Sequence, residues 1–124
     1  MYQDVKVAVV SKDPRLSDAL CALFALERVS CAVMTLDEGL TYIQHQSRGC
    51  IVLHADTSES LPGPLARWSG FEARIVLLLE AVSGKGVEGL VDIAFAEVLN
   101  VPVSSQHLLR AVYAVLGENS VSKG

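Results

Sequence analysis

A chain of 124 residues has the size of one domain, and 51% hydrophobic against 19% charged residues is enough to build a core and excludes a disordered composition. Its formal net charge of −4 provides no positive field for a nucleic-acid backbone, so any contact with DNA would fall to another domain or chain. Met1-Tyr2-Gln3-Asp4 lacks the basic and apolar regions of a secretory signal, and no apolar run approaches the ~20 residues of a membrane span, so a cytoplasmic protein is expected.

Val5–Val10 is short, β-branched and mostly apolar, the pattern of a strand buried on both faces. Asp13-Pro14 then reads as a helix N-cap with proline at the first helical position. Leu16, Leu20, Leu23, Phe24 and Leu26 follow at helical spacing within Arg15–Arg28. The pattern repeats with a second strand over Ser30–Met34 and a helix over Glu38–Gln46 capped by Thr35 or Asp37, Leu40 and Ile43 pointing inward. Gly49–Leu53 is a third, wholly apolar strand, and His54–Pro64 is polar enough to be a loop, with a weak short helix over Leu65–Ser69. Ala73–Leu79 is the clearest strand. A fourth helix over Ser83–Leu90 is weakened by its glycines, each costing roughly 1 kcal/mol relative to alanine. Ile93–Leu99 makes a fifth strand, and Ser104 or Ser105 caps a last helix over Gln106–Leu116, with Gly117 as its C-cap.

Buried strands alternating with helices imply parallel pairing through right-handed crossovers. The expected fold is α/β: a three-layer, doubly wound, five-stranded parallel sheet of order 2-1-3-4-5. Residues 1–117 form the domain, and residues 118–124 read as a tail or the start of a linker. Cys21, Cys31 and Cys50 are odd in number and show no CxxC spacing, so a reduced, buried set is favoured over a redox or metal role.

In such a fold, ligands bind beyond the carboxyl ends of the strands, near the switch in strand order. That rim comprises Ser11-Lys12-Asp13, His54-Ala55-Asp56, Leu79-Glu80 and Val101-Pro102. Val9-Val10-Ser11-Lys12-Asp13-Pro14 resembles the Val-Val-Asp-Asp-Asp-Pro motif of response-regulator receiver domains, the CheY-like family. Gly49-Cys50-Ile51-Val52-Leu53 is similar to the third strand of receivers in LuxR-type and nitrogen-fixation regulators, and Val101-Pro102-Val103 stands where receivers have Lys-Pro-Phe. The resemblance spans about residues 5–116.

The same resemblance implies a degenerate site. The magnesium-holding acidic pair falls on Ser11 and Lys12, the phosphoacceptor aspartate on His54, the hydroxyl that binds the phosphoryl group on Leu79, the lysine on Val101 and the aromatic switch on Val98. Asp13 and Pro102 keep family-like identities. Magnesium requires hard oxygens anchored by carboxylates. Lys12 places an ammonium where the cation would sit, and Leu79 and Val101 neither donate hydrogen bonds nor neutralise charge. A shift of one or two positions would instead make Asp56 the acceptor, with its partners still missing.

Other readings attach to single residues. His54 is either a phosphohistidine or metal ligand beside Asp13 and Asp56, or a rim residue hydrogen-bonded to one of them. Lys12 either binds an anion or pairs with Asp13 or Asp56. Gly84-Lys85-Gly86 lacks the spacing of a phosphate loop, and Ser58 and Ser60 lack a nucleophile-elbow context. Trp68 covers the core edge or anchors a partner, and His45 and His107 lie on exposed helix faces. The favoured function is a phosphorylation-independent interaction or dimerisation module. Its setting would be a two-component transcriptional regulator, sensor kinase or phosphorelay, and its dimer face would include Val87, Leu90, Val91 and Leu109. No enzyme activity, cofactor or metal is expected. The expected partner is a protein or a second copy, and no membrane. The alternative is a small-molecule domain whose rim pocket is lined by Lys12, His54 and Asp56.

Overall fold

The computed structural model describes residues 4–46, 48–56, 70–80, 96–101 and 103–117. Five strands form one parallel sheet: β1 (Val7–Val10), β2 (Cys31–Met34), β3 (Cys50–Asp56), β4 (Ile75–Glu80) and β5 (Glu97–Asn100), in the order β2-β1-β3-β4-β5. Three helices are described: α1 (Pro14–Leu26), α2 (Leu36–His45) and α3 (Ser105–Leu116).

Local chemistry sets the helix ends. Asp13 accepts the Arg15 N–H to start α1, with Pro14 in the first turn. Thr35 and Glu38 form a reciprocal capping box at α2. Ser104 accepts the His107 N–H at α3, which ends on Gly117 in the left-handed region (φ 75°). The end of α1 is less obvious from sequence. Val29 N–H donates to Phe24 O and Arg28 N–H to Ala25 O, which places the non-glycine Arg28 at φ 59°.

Alternation along the strands divides the core in two. Ala8, Val10, Ile51, Leu53, Ile75 and Leu77 meet Leu40, Tyr42 and Ile43 of α2 on one face. Val7, Val9, Cys50, Val52, Val76 and Leu78 meet Leu20 and Phe24 of α1 and Leu108 and Val112 of α3 on the other. The chain turns back across the sheet after β2, so a constant crossover hand requires α1 and α2 on opposite faces, as found. The three-layer expectation therefore holds.

Several element boundaries differ from the sequence reading, among them β1, which starts at Val7 and not Val5, and α2, which runs Leu36–His45 and not Glu38–Gln46. β3 continues through His54, Ala55 and Asp56, because β4 extends beyond the tip of β1 and pairs with them as Leu78, Leu79 and Glu80. β4 starts at Ile75 after a single 3-10 turn, Glu72–Arg74, not at Ala73. β5 is Glu97–Asn100, later than Ile93–Leu99, because its register with Val76–Leu79 fixes it there; as an edge strand it tolerates the exposed Glu97 and Val98. The readings over Leu65–Ser69, Ser83–Leu90 and residues 118–124 lie outside the described residues.

Polar ties close the rim at the amino ends of the strands. Arg74 donates from Nε to Gly49 O (3.0 Å), from Nη1 to Ile43 O (3.3 Å) and from Nη2 to Gln46 O (2.7 Å). Two of those acceptors belong to the end of α2, where carbonyls lack helical partners and a cation is favoured. Beside it, the Tyr42 hydroxyl donates to Val5 O at 2.6 Å, and Ser30 bonds to Lys6 N–H and to Asp4 O. Burial pushes the Tyr42 phenol and the Cys50 thiol up to about 12 each, against the pull of the nearby Arg74 charge. Burial also holds Arg74 below its ordinary value, while Tyr42 and Cys50 act to raise it.

Candidate functional site

At the carboxyl end of the sheet, the β1 ladder with β3 stops at the pair Val10 and Leu53. The next residue of each chain segment, Ser11 and His54, therefore faces the opening between the two strands. This is also where the strand order switches, since β1 passes to β2 on one side and adjoins β3 on the other.

Ser11 Oγ lies 3.0 Å from His54 Nδ1. The same oxygen accepts the Asp13 N–H at 3.0 Å and lies 3.4 Å from Asp13 O. Ser11 Oγ donates to Nδ1 or accepts from it according to which imidazole nitrogen carries the hydrogen. Both side chains are half-buried. The partner at Nδ1 is the Ser11 hydroxyl. The Asp13 carboxylate points to the start of α1, where it accepts the Arg15 N–H at 3.0 Å.

The remaining rim positions divide by environment. Lys12 is exposed. Leu79 is buried at 2% exposure in the α2-side core, opposite Ala55 in register. Val101 is half-buried, packs toward the α1 and α3 side, and donates its N–H to Leu79 O at 3.0 Å. Val98 on the edge strand is half exposed. Asp56 ends β3, paired with Glu80. Pro102, Val87, Leu90, Val91, Trp68, Ser58, Ser60 and the Gly84-Lys85-Gly86 segment lie outside the described residues. Leu109 is half-buried on α3, and His45 and His107 are exposed.

Among the described residues no group of three or more His, Cys, Asp or Glu side chains is placed to hold a metal ion. Ser11 and His54 were individually legible as rim residues. Their hydrogen bond was not anticipated, although the adjacency of β1 and β3 in the expected sheet order was a signal for it. The sequence also gave no warning that Cys21 of α1 and Cys31 of β2 would meet, with sulfurs 3.6 Å apart. Of the three cysteines only Cys50 is buried as expected; Cys21 and Cys31 are half-buried.

Sheet order and helix placement together are those of the CheY-like receiver fold. No family model matches the chain, and no curated protein matches it. Solved structures do. A response-regulator CheY-like protein from Mesorhizobium loti superposes with a TM-score of 0.67 at 18% identity, covering 90% of this chain and 98% of its own. The receiver domain of a sensor histidine kinase from Pseudomonas aeruginosa gives 0.68 at 15% identity, with 92% and 98% covered. Full-length FixJ from B. japonicum gives 0.67 at 18% identity, covering 98% of this chain and 62% of FixJ. At these identities the likeness establishes the fold.

The P. aeruginosa receiver has a magnesium ion coordinated in its active-site cleft. In this chain Ser11 is neutral and bonded to His54, Lys12 is cationic, and the Asp13 carboxylate is engaged by the α1 cap.

Proposed function

We propose that this chain is a signalling module of receiver fold that works without phosphotransfer, by docking to a protein partner or a second copy of itself. The observation that carries this reading is the Ser11–His54 hydrogen bond at the switch point, flanked by Lys12. A hydroxyl, an ammonium and an imidazole stand where divalent-cation chemistry needs carboxylates, and an imidazole forms no acyl phosphate. The module has no catalytic role in this reading. It is cytoplasmic and reaches DNA only through another domain, in a two-component regulator or sensor kinase. No described helix is long and apolar enough to cross a membrane. Val98 is half exposed on the edge strand β5, whose open side offers backbone groups for docking.

The test is incubation with acetyl phosphate, or with beryllofluoride and magnesium, followed by intact mass and NMR. Neither mass nor spectrum is expected to change. A stoichiometric aspartyl phosphate would refute phosphorylation independence. Sedimentation across concentration separates the docking modes, since a second copy as partner requires a concentration-dependent mass.

A further inference from the structure

Cys21 and Cys31 lie ten positions apart in sequence, yet the fold brings their sulfurs to 3.6 Å. The reason is geometric. Cys31 opens β2 opposite Val7, on the sheet face that α1 covers, and Cys21 sits one position after the buried Leu20. A disulfide needs sulfurs about 2.05 Å apart, so the remaining gap of about 1.5 Å is within the reach of side-chain rotation. Both residues are half-buried, which leaves them accessible to a small oxidant. Cys50, on the other side of Val7 in the same sheet row, is fully buried and lies outside the pair.

We infer that Cys21 and Cys31 form a reversible oxidation site that a hydroperoxide converts to an intramolecular disulfide tying α1 to the β2 edge of the sheet. The Cys21 thiolate attacks the terminal peroxide oxygen, the O–O bond breaks, and the second oxygen leaves as hydroxide or alkoxide, which takes up the proton released when the thiol ionised and becomes water or an alcohol. Cys21 is then a sulfenic acid. Cys31 attacks that sulfur, the S–S bond forms as the S–O bond breaks, and the departing hydroxide takes the proton that Cys31 loses. Two thiols are oxidised by two electrons, and the peroxide is reduced. Burial, then the neighbouring Cys21, pushes the Cys31 thiol up to about 12, which leaves the first attack to Cys21. This site is independent of the strand-tip rim and of the phosphorylation question.

The experiment treats the purified full chain with hydrogen peroxide, denatures it, alkylates it and digests it with trypsin. Cleavage after Arg15, Arg28, Arg48 and Arg67 places the cysteines on separate peptides, 16–28, 29–48 and 49–67. Alkylatable thiols are expected to fall from three to one, with 16–28 joined to 29–48 in a protein of monomer mass and 49–67 alkylated. Dithiothreitol should restore all three. A Cys50→Ala variant should form the same bond. Three thiols remaining after peroxide, a link involving 49–67, a link between two chains, or irreversible acids at Cys21 without a bond would each overturn the inference.

Discussion

A Cβ at Gly49 would stand 2.5 Å from the Tyr42 hydroxyl oxygen and 2.9 Å from the ring carbon that bears it. The ring cannot easily retreat, because it is almost fully buried and its hydroxyl is bonded to Val5 O. Gly49→Ala is therefore expected to cost about 1–3 kcal/mol by overpacking. Tyr42→Phe removes the closest atom, so the double variant should lose less than the sum of the two single losses in urea titrations. Strict additivity would mean that the two positions do not press on each other.

Arg74 ties three carbonyls from the α2 end and the start of β3. Arg74→Met keeps much of the stem but leaves those acceptors to water, and a loss of about 2 kcal/mol is expected. Arg74→Lys should recover less than half of it, since one ammonium does not span three acceptors held in a fork. Chemical denaturation measures both, and full recovery by lysine would reduce the role of Arg74 to its charge.

Alkaline pH should weaken the fold. The folded-state values of Tyr42, Cys50 and Cys31 all lie near 12, above those of the unfolded chain. As pH passes about 9 to 10, the unfolded state releases these protons first. From there to about 12 it binds fewer protons than the folded state, so stability falls with rising pH, whereas below about 8 these groups contribute no slope. Melting temperatures should drop between about pH 8 and about pH 11, and Tyr42→Phe should flatten part of the decline. A constant melting temperature would contradict the burial assigned to these groups.

At the strand tips, His54→Asp alone is not expected to create a magnesium site. Lys12 still opposes the ion, and the Asp13 carboxylate is occupied at the α1 cap. Ser11→Asp, Lys12→Asp and His54→Asp together supply the hard oxygens and should show measurable magnesium heat in calorimetry. Wild-type chain binding magnesium as tightly as the triple variant would remove the basis of the proposed function.

The helix ends and most strands were legible because their signals are local. Asp13-Pro14, Thr35 with Glu38, Ser104 and Gly117 each act within a few residues of the end they define. Sheet order followed from the alternation of strands and helices, and the ends of the first and third strands placed Ser11, Lys12 and His54 at the rim. What escaped was non-local. The acceptors of Arg74 lie 25, 31 and 28 positions earlier in the chain, so nothing near Ala73-Arg74 distinguished a tie from the start of a strand. The extension of β3 to Asp56 depends on the length of β4, and the meeting of Cys21 with Cys31 depends on how α1 crosses β2.

The ties at the amino ends also bear on how the sheet finds one alignment. β1 and much of β3 and β4 are apolar on both faces, so slipping a strand by one residue exchanges one greasy side chain for another and exposes no charge. Hydrophobic collapse alone therefore discriminates weakly among neighbouring alignments. Tyr42 reaching the carbonyl of Val5, and Arg74 reaching that of Gly49, each fit a single setting of the strands. They act as polar keys that reject misaligned sheets, and weakening them should yield chains that remain compact while populating several pairings.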